Sequence, residues 1–245
     1  MLEVIRLHKL PLDRIVHVEI MATETIPAEF PSVMEWKAYA DQKIFERYGI
    51  QVEHIKAKKT FEDLFYSVPK RKPKNQHRQG EIRGFPSLRS QWCSKELKVN
   101  LLKQLNRGNV QYIGIAADEV KRHGQLTEYI RSPLVEYGVT EAECMTICRS
   151  LDLLAPNYLQ AKRSGCWFCP AQPVDQLRKL RKQHQDLWEL LVKWDKDSPI
   201  PFRHAGLGKR VVTVAMFDKR FRLEDRGVLG KNEMFTWKGL ENYEE

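Results

Sequence analysis

The feature that most constrains this chain is an alternation of β-branched runs with stretches of helical period. Arg14-Ile-Val-His-Val-Glu-Ile20 has the composition of a strand. Residues 31–48 follow with apolar side chains at Val33, Trp36, Ala40, Ile44 and Phe45, the spacing of one helix face. Residues 51–55 read as a second strand and 111–116 as a third, apolar on both faces as buried parallel strands are. A short fourth is expected at 131–135, and residues 90–105 are expected to be a helix. Such alternation predicts an α/β fold, a three-layer Rossmann-like and mostly parallel sheet of four or five strands. Ligands of such sheets sit outside the carboxyl ends of the strands. The segments that follow strands, Thr23 and Glu24 after the first and Asp118, Glu119 and Arg122 after the third, are therefore the informative ones.

The rest of the chain divides by pattern. Residues 1–9 read as the tail of a helix, and 56–86 as irregular and basic, centred on Lys70-Arg-Lys-Pro-Lys-Asn-Gln-His-Arg78. Thr140, with Glu143 three residues on, forms a capping box for a helix to about Ser150. Residues 172–194 read as one long amphipathic helix, in which Trp188 and Trp194 belong to the core. The expected division is an α/β domain over 1–139, a helical Cys-containing subdomain over 140–199, and a basic, aromatic extension over 200–245.

No apolar run reaches the length of a membrane span, and the first residues lack the apolar stretch of a signal peptide. No membrane association and a cytoplasmic location are the expectation; a homodimer is compatible with everything above. The net charge of +9 suits a polyanionic partner, a nucleotide or a nucleic acid, and equally a solvated basic surface. Five cysteines in such a chain argue against a disulfide framework and for metal binding, catalysis or burial.

The strongest local signal is Ser164-Gly-Cys-Trp-Phe-Cys-Pro170. Two thiolates two residues apart reach one metal because the turn between them brings the sulfurs together. Proline after the second Cys also occurs in iron–sulfur ligand runs. A redox pair or two buried thiols are the competing readings. Cys144 and Cys148, four apart on the helix capped by Thr140, share one face. Cys93 stands at a helix start near Lys95 and Lys98. The economical reading of these three Cys groups is a four-ligand site holding zinc or an iron–sulfur cluster. No Walker A sequence is present, and Gly206-Leu-Gly-Lys209 is too short to cradle phosphate.

Three segments, Gly84-Phe-Pro-Ser-Leu-Arg-Ser-Gln-Trp-Cys-Ser-Lys-Glu-Leu-Lys98, Tyr112-Ile-Gly-Ile-Ala-Ala-Asp-Glu-Val-Lys-Arg122 and the 164–170 run, together resemble the phosphoadenylyl-sulfate reductase-like family of PP-loop ATP pyrophosphatases, in its phage and bacterial branch. The resemblance spans roughly residues 10–195. It implies a [4Fe–4S] site at Cys93, Cys166, Cys169 and Cys144, with Cys148 as the alternative fourth ligand. Position 92, a ligand in adenylylsulfate reductases, is Trp here. It also implies an adenine nucleotide, ATP or an adenylyl sulfonucleotide, with Thr23 and Glu24 near the adenosine. Asp118, Glu119 and Arg122 would face the phosphates, and Arg89 and Lys98 would meet a phosphate or sulfo group.

Two departures qualify that expectation. The Ser-Gly-Gly-x-x-Ser phosphate cradle and the strand before it are missing, which reads as truncation ahead of Met1. No Cys follows Cys169, so classical sulfonucleotide reduction is unsupported. Two functions stand after this: adenylation or sulfur transfer, with DNA or tRNA as acceptor by analogy, or a nucleic-acid-binding module with a structural metal.

Overall fold

The computed structural model describes residues 1–70, 73–87, 91–156, 158, 165–205, 210–231, 240 and 243. The fold is mixed α/β with small parallel sheets. It forms two compact units interleaved along the chain. The first contains Met1–Ile20, Glu29–Ala57 and Glu96–Ser164; the second contains Met21–Ala28, Lys58–Lys95 and Gly165–Glu245.

The first unit is built from β–α–β pieces. Strands β1 (Ile15–Glu19) and β2 (Val52–Lys56) pair in parallel, His17 opposite His54, across helix α2 (Pro31–Tyr48). Pro31 at the first turn starts α2, its fixed φ being ready-made for a helix. Gly49 ends it at φ +69, a left-handed conformation that glycine adopts without Cβ strain. Helix α1 (Leu2–Leu7) buries Val4 and Ile5 and is pinned to α2 by Glu3. The Glu3 carboxylate accepts hydrogen bonds from Arg47, Arg6 and Tyr48, and the two guanidiniums hold it far below the usual carboxylate range.

Strand order continues less regularly than the pattern predicts. β3 is only Gln111–Tyr112, paired in parallel with β4 (Ile130–Arg131). Residues 113–116 stay extended without being strand, and Ile115 and Ala116 are buried. The expected strand at 131–135 is corrected: Pro133 opens a short helix, Pro133–Glu136. Proline has no N–H for a ladder but suits the first helical turn. The helix expected over 90–105 reads as Trp92–Ser94, a π turn Lys95–Val99, then Asn100–Leu105. The capping box stands as expected: the Thr140 hydroxyl accepts from Glu143 N, and the Glu143 carboxylate accepts from Thr140 N, at the start of Glu141–Ser150.

The second unit is an aromatic core wrapped by helices. Helix α3 (Phe61–Tyr66) lies inside the stretch expected to be irregular. Its start is a second capping box, Thr60 with Asp63. The expected single helix over 172–194 is two, Val174–Gln183 and Gln185–Asp197, broken at His184, whose φ of −137° and ψ of 69° are not helical. Both Trp188 and Trp194 are buried, as expected. The antiparallel pair Arg203–Ala205 and Arg210–Val212 leads into the helix Val214–Asp225. Phe61, Phe65, Phe85, Trp167, Phe168, Trp194 and Phe202 are almost fully buried and meet ring against ring. Gly84 sits at φ +68 where a Cβ would come within 2.6 Å of Ser198 Oγ, so the turn before Phe85 requires glycine. Among the described residues no helix is long and apolar enough to cross a membrane.

Candidate metal centre

The Cys166–Cys169 loop is organised by the two residues between the thiols. Trp167 and Phe168 point into the aromatic core, with 0% and 2% of their surface exposed. Trp167 stacks on Trp194 at 5.5 Å between centroids and an interplanar angle of 12°. Its indole N–H donates to Pro27 O at 2.9 Å, and its backbone N–H donates to Ala28 O at 2.9 Å. With both intervening side chains anchored, the backbone turns tightly: Cys169 N donates to Cys166 O at 3.0 Å. The buried Gln172 fastens the turn from behind, its side-chain amide donating to Gly165 O and Cys166 O at 3.1 and 2.9 Å.

Cys93 belongs to the same unit and hangs on the same rings. Its neighbour Trp92 stacks on Phe61 at 5.2 Å and 12°, and Phe61 lies 4.1 Å from Phe168. Arg83 caps the other side of Trp92, 5.0 Å from its centroid. The side chain at position 92 is thus an anchor for position 93. Burial, and then the charge of Cys169, push the Cys93 thiol up to about 11. A nucleophilic or redox-active cysteine needs the opposite shift. Cys93 holds its proton near neutral pH and exchanges it only for a strong cation, as thiol ligands do when a metal arrives.

Arg203 lies behind the loop. Its Nε donates to Pro170 O at 2.7 Å and its Nη2 to Gln172 O at 2.5 Å. Neither Arg203 nor Gln172 was visible as a functional residue in the sequence. Arginine and glutamine carry no local pattern, and Arg203 is 34 positions beyond Cys169.

The other candidates fall in different surroundings. Cys144 and Cys148 lie one turn apart in the first unit; burial raises the Cys144 thiol, and Cys148 and Asp118 add to it against the N-terminal charge. Among the described residues no three His, Cys, Asp or Glu side chains stand together as a ready-made metal shell. Thr23 closes its own turn, accepting from Ile26 N at 3.1 Å, and Glu24 is exposed. Asp118 accepts from Glu141 N at 3.0 Å, so it helps to cap the Glu141–Ser150 helix. Glu119 accepts from Ala116 N and from Arg122, at 3.0 and 2.8 Å. Lys98 is exposed on the π turn, and Arg89 lies outside the described residues.

The first unit also holds a polar network that the sequence reading missed. His54 is bound on both sides, by Glu19 at 2.9 Å and Asp41 at 2.7 Å. Lys37 lies 2.5 Å from Glu29 and 3.7 Å from Glu19. The His17 ring is 5.4 Å from His54, with Nε2 buried and without a hydrogen-bond partner. Burial, then Lys37, hold the His17 imidazole below its usual 6.5. Below that pH the unfolded chain takes up a proton that the folded chain refuses, so stability rises with pH through this interval and is lost as pH falls below it. Urea midpoints of the full chain should therefore decline from pH 7 to pH 5, and less steeply in His17→Leu. Parallel declines in the two proteins would show that His17 is not the titrating group.

The chain matches no protein-family model, no curated protein and no solved structure.

Proposed function

We propose that this chain is a sulfur-handling, adenine-nucleotide-binding protein of the phosphoadenylyl-sulfate reductase-like kind, with Cys93, Cys166 and Cys169 as thiolate ligands of an iron–sulfur or zinc centre. One observation carries the proposal: Cys93, 73 residues before Cys166, hangs on the same aromatic core as the Cys166–Cys169 turn, within electrostatic reach of Cys169. Thiols that each hold a proton have no attraction for one another, so such a site stands open without metal and closes on the ion as the protons leave. When bound, an iron–sulfur centre supplies electron transfer or an iron that can hold sulfur, whereas zinc with a full thiolate shell supplies rigidity.

The parallel pairs β1–β2 and β3–β4 and the β1–α2–β2 connection agree with a three-layer Rossmann-like sheet, the arrangement that the reductase-like reading requires. Asp118, Glu119, Arg122 and Lys98 are the side chains proposed to face the nucleotide phosphates. The first three already have protein partners, so a nucleotide has to compete for them. ATP binding by side chains alone, without a cradle of backbone N–H groups, is weak.

Anaerobic purification of the full chain with iron, acid-labile sulfide and zinc analysis tests the centre. The expected result is iron and sulfide together, lost in each of Cys93→Ser, Cys166→Ser and Cys169→Ser. Zinc without iron would move the reading to a structural metal in a nucleic-acid-binding module. Neither metal, before and after anaerobic reconstitution, would overturn the centre.

A further inference from the structure

The second unit buries a cation whose charge its protein partners leave uncompensated. Arg203 is half-buried at the start of its strand, against the rings of Phe202 and Phe217 at 5.8 and 5.2 Å. Its fork donates only to two backbone carbonyls, Pro170 and Gln172, both in the loop that follows Cys169. Among the described residues no carboxylate pairs with it. Elsewhere in the same unit, buried arginines do have one: Arg178 and Arg220 share Glu224, and Arg181 meets Asp218. Withdrawing a guanidinium from water without a counter-charge is unfavourable, and carbonyls and ring faces offset it only in part. The acidic group that acts on Arg203 is the Cys169 thiol.

We propose that Arg203 is the positioning residue and counter-cation of the thiolate centre, balancing the negative charge that appears when Cys93, Cys166 and Cys169 bind a metal. The inference rests on the metal reading above. Three thiolates around one divalent cation leave one negative charge, and the sulfurs are too deeply placed for water to disperse it. Arg203 supplies the opposite charge and, through Pro170 and Gln172, fixes the backbone from which Cys169 projects. Metal-free, it is a lone cation beside neutral thiols; loaded, it is half of an ion pair. Metal uptake and the burial of Arg203 therefore favour each other.

Cobalt(II) titration of the full chain under anaerobic, reducing conditions tests this, read by the thiolate-to-cobalt absorption in the near ultraviolet. Arg203→Lys keeps the charge and loses the fork; Arg203→Gln keeps polar contacts and loses the charge. Outer ligands of metal sites are worth about 10- to 100-fold in affinity. Arg203→Gln should fall by about that much, and Arg203→Lys should stay within about 3-fold of the parent. The thermal midpoint of metal-free Arg203→Gln should equal or exceed that of the parent, because an unpaired cation has been removed; with cobalt the order should reverse. Equal losses in both variants would mean that Arg203 only props the loop, and would overturn the counter-charge while leaving the centre standing. A parent chain with no thiolate-to-cobalt band would overturn the centre as well. Should Arg203→Gln not fold, Arg203→Lys decides alone: a loss beyond 10-fold refutes the proposal.

Discussion

Trp167→Ala should destabilise the aromatic unit by about 3–5 kcal/mol, the loss expected when a fully buried large aromatic is truncated. The side chain has no exposed surface, stacks on Trp194 and meets Phe168 edge-on at 4.9 Å. The stacking adds to the area term, and removing the indole leaves the Pro27 carbonyl without its donor. Domains of this size are stable by about 5–15 kcal/mol, so a large part of the total is at stake. Urea denaturation followed by far-ultraviolet circular dichroism measures it. Trp167→Phe, which keeps a ring but not the N–H, should lose less than half as much. A change below about 1 kcal/mol for Trp167→Ala would mean that the ring cluster does not hold the unit together. Because Trp167 lies between two proposed ligands, the same variant should bind cobalt poorly even under conditions where it is folded.

Glu224→Gln comes next, at about 3 kcal/mol, the cost of breaking a buried ion pair from one side. The Glu224 side chain is only 2% exposed, and it accepts from Arg178 Nε at 2.5 Å, Arg178 Nη2 at 2.9 Å and Arg220 Nε at 2.7 Å. Burial alone would raise its pKa; hydrogen bonds from Arg178 and Arg220 outweigh burial and keep the carboxyl below its usual 4.5. Its contribution is thus present above that pH and is lost as the carboxylate protonates below it. The amide leaves two inward-facing guanidiniums sharing a neutral acceptor. Measured at pH 7 and again near pH 3, the difference between parent and variant should shrink on acidification. A constant difference would assign the loss to altered packing and not to charge.

The amphipathic helix over Pro31–Tyr48 and the capping box of Thr140 and Glu143 were legible because both are local: a 3.6-residue spacing, a proline start, a polar pair three apart. The parallel pairing of β1 with β2 followed from the strand–helix–strand order. Where the reading failed, a second local signal had been overlooked or tertiary structure overrode the pattern. Thr60 and Asp63 form as good a capping box as the other, but they sit next to a basic run that reads as loop. Pro133 turned an apolar run from strand to helix. The 172–194 periodicity continues across His184, although the backbone there does not. At the candidate site, the Cys166–Cys169 run announced itself through spacing, whereas Arg203, Gln172 and the His17–His54–Lys37 network depend on which distant segments meet. No single-sequence period records that.

The interleaving of the two units has a consequence for the order in which they form. Every segment of the first unit has been synthesised once residue 164 is made, whereas the second still lacks Gly165–Glu245. Until that part emerges, Phe61, Phe65 and Phe85 have no Trp167, Phe168, Trp194 or Phe202 to close over them. On the ribosome the first unit can therefore assemble while the aromatic half of the second remains uncovered, a window in which apolar surface invites aggregation. The contacts that close it join residues more than 100 positions apart, and such long-range closure is slow. The last segment to be made is also the one that brings Cys166, Cys169 and Arg203, so the metal-binding half of the molecule is the last to become available.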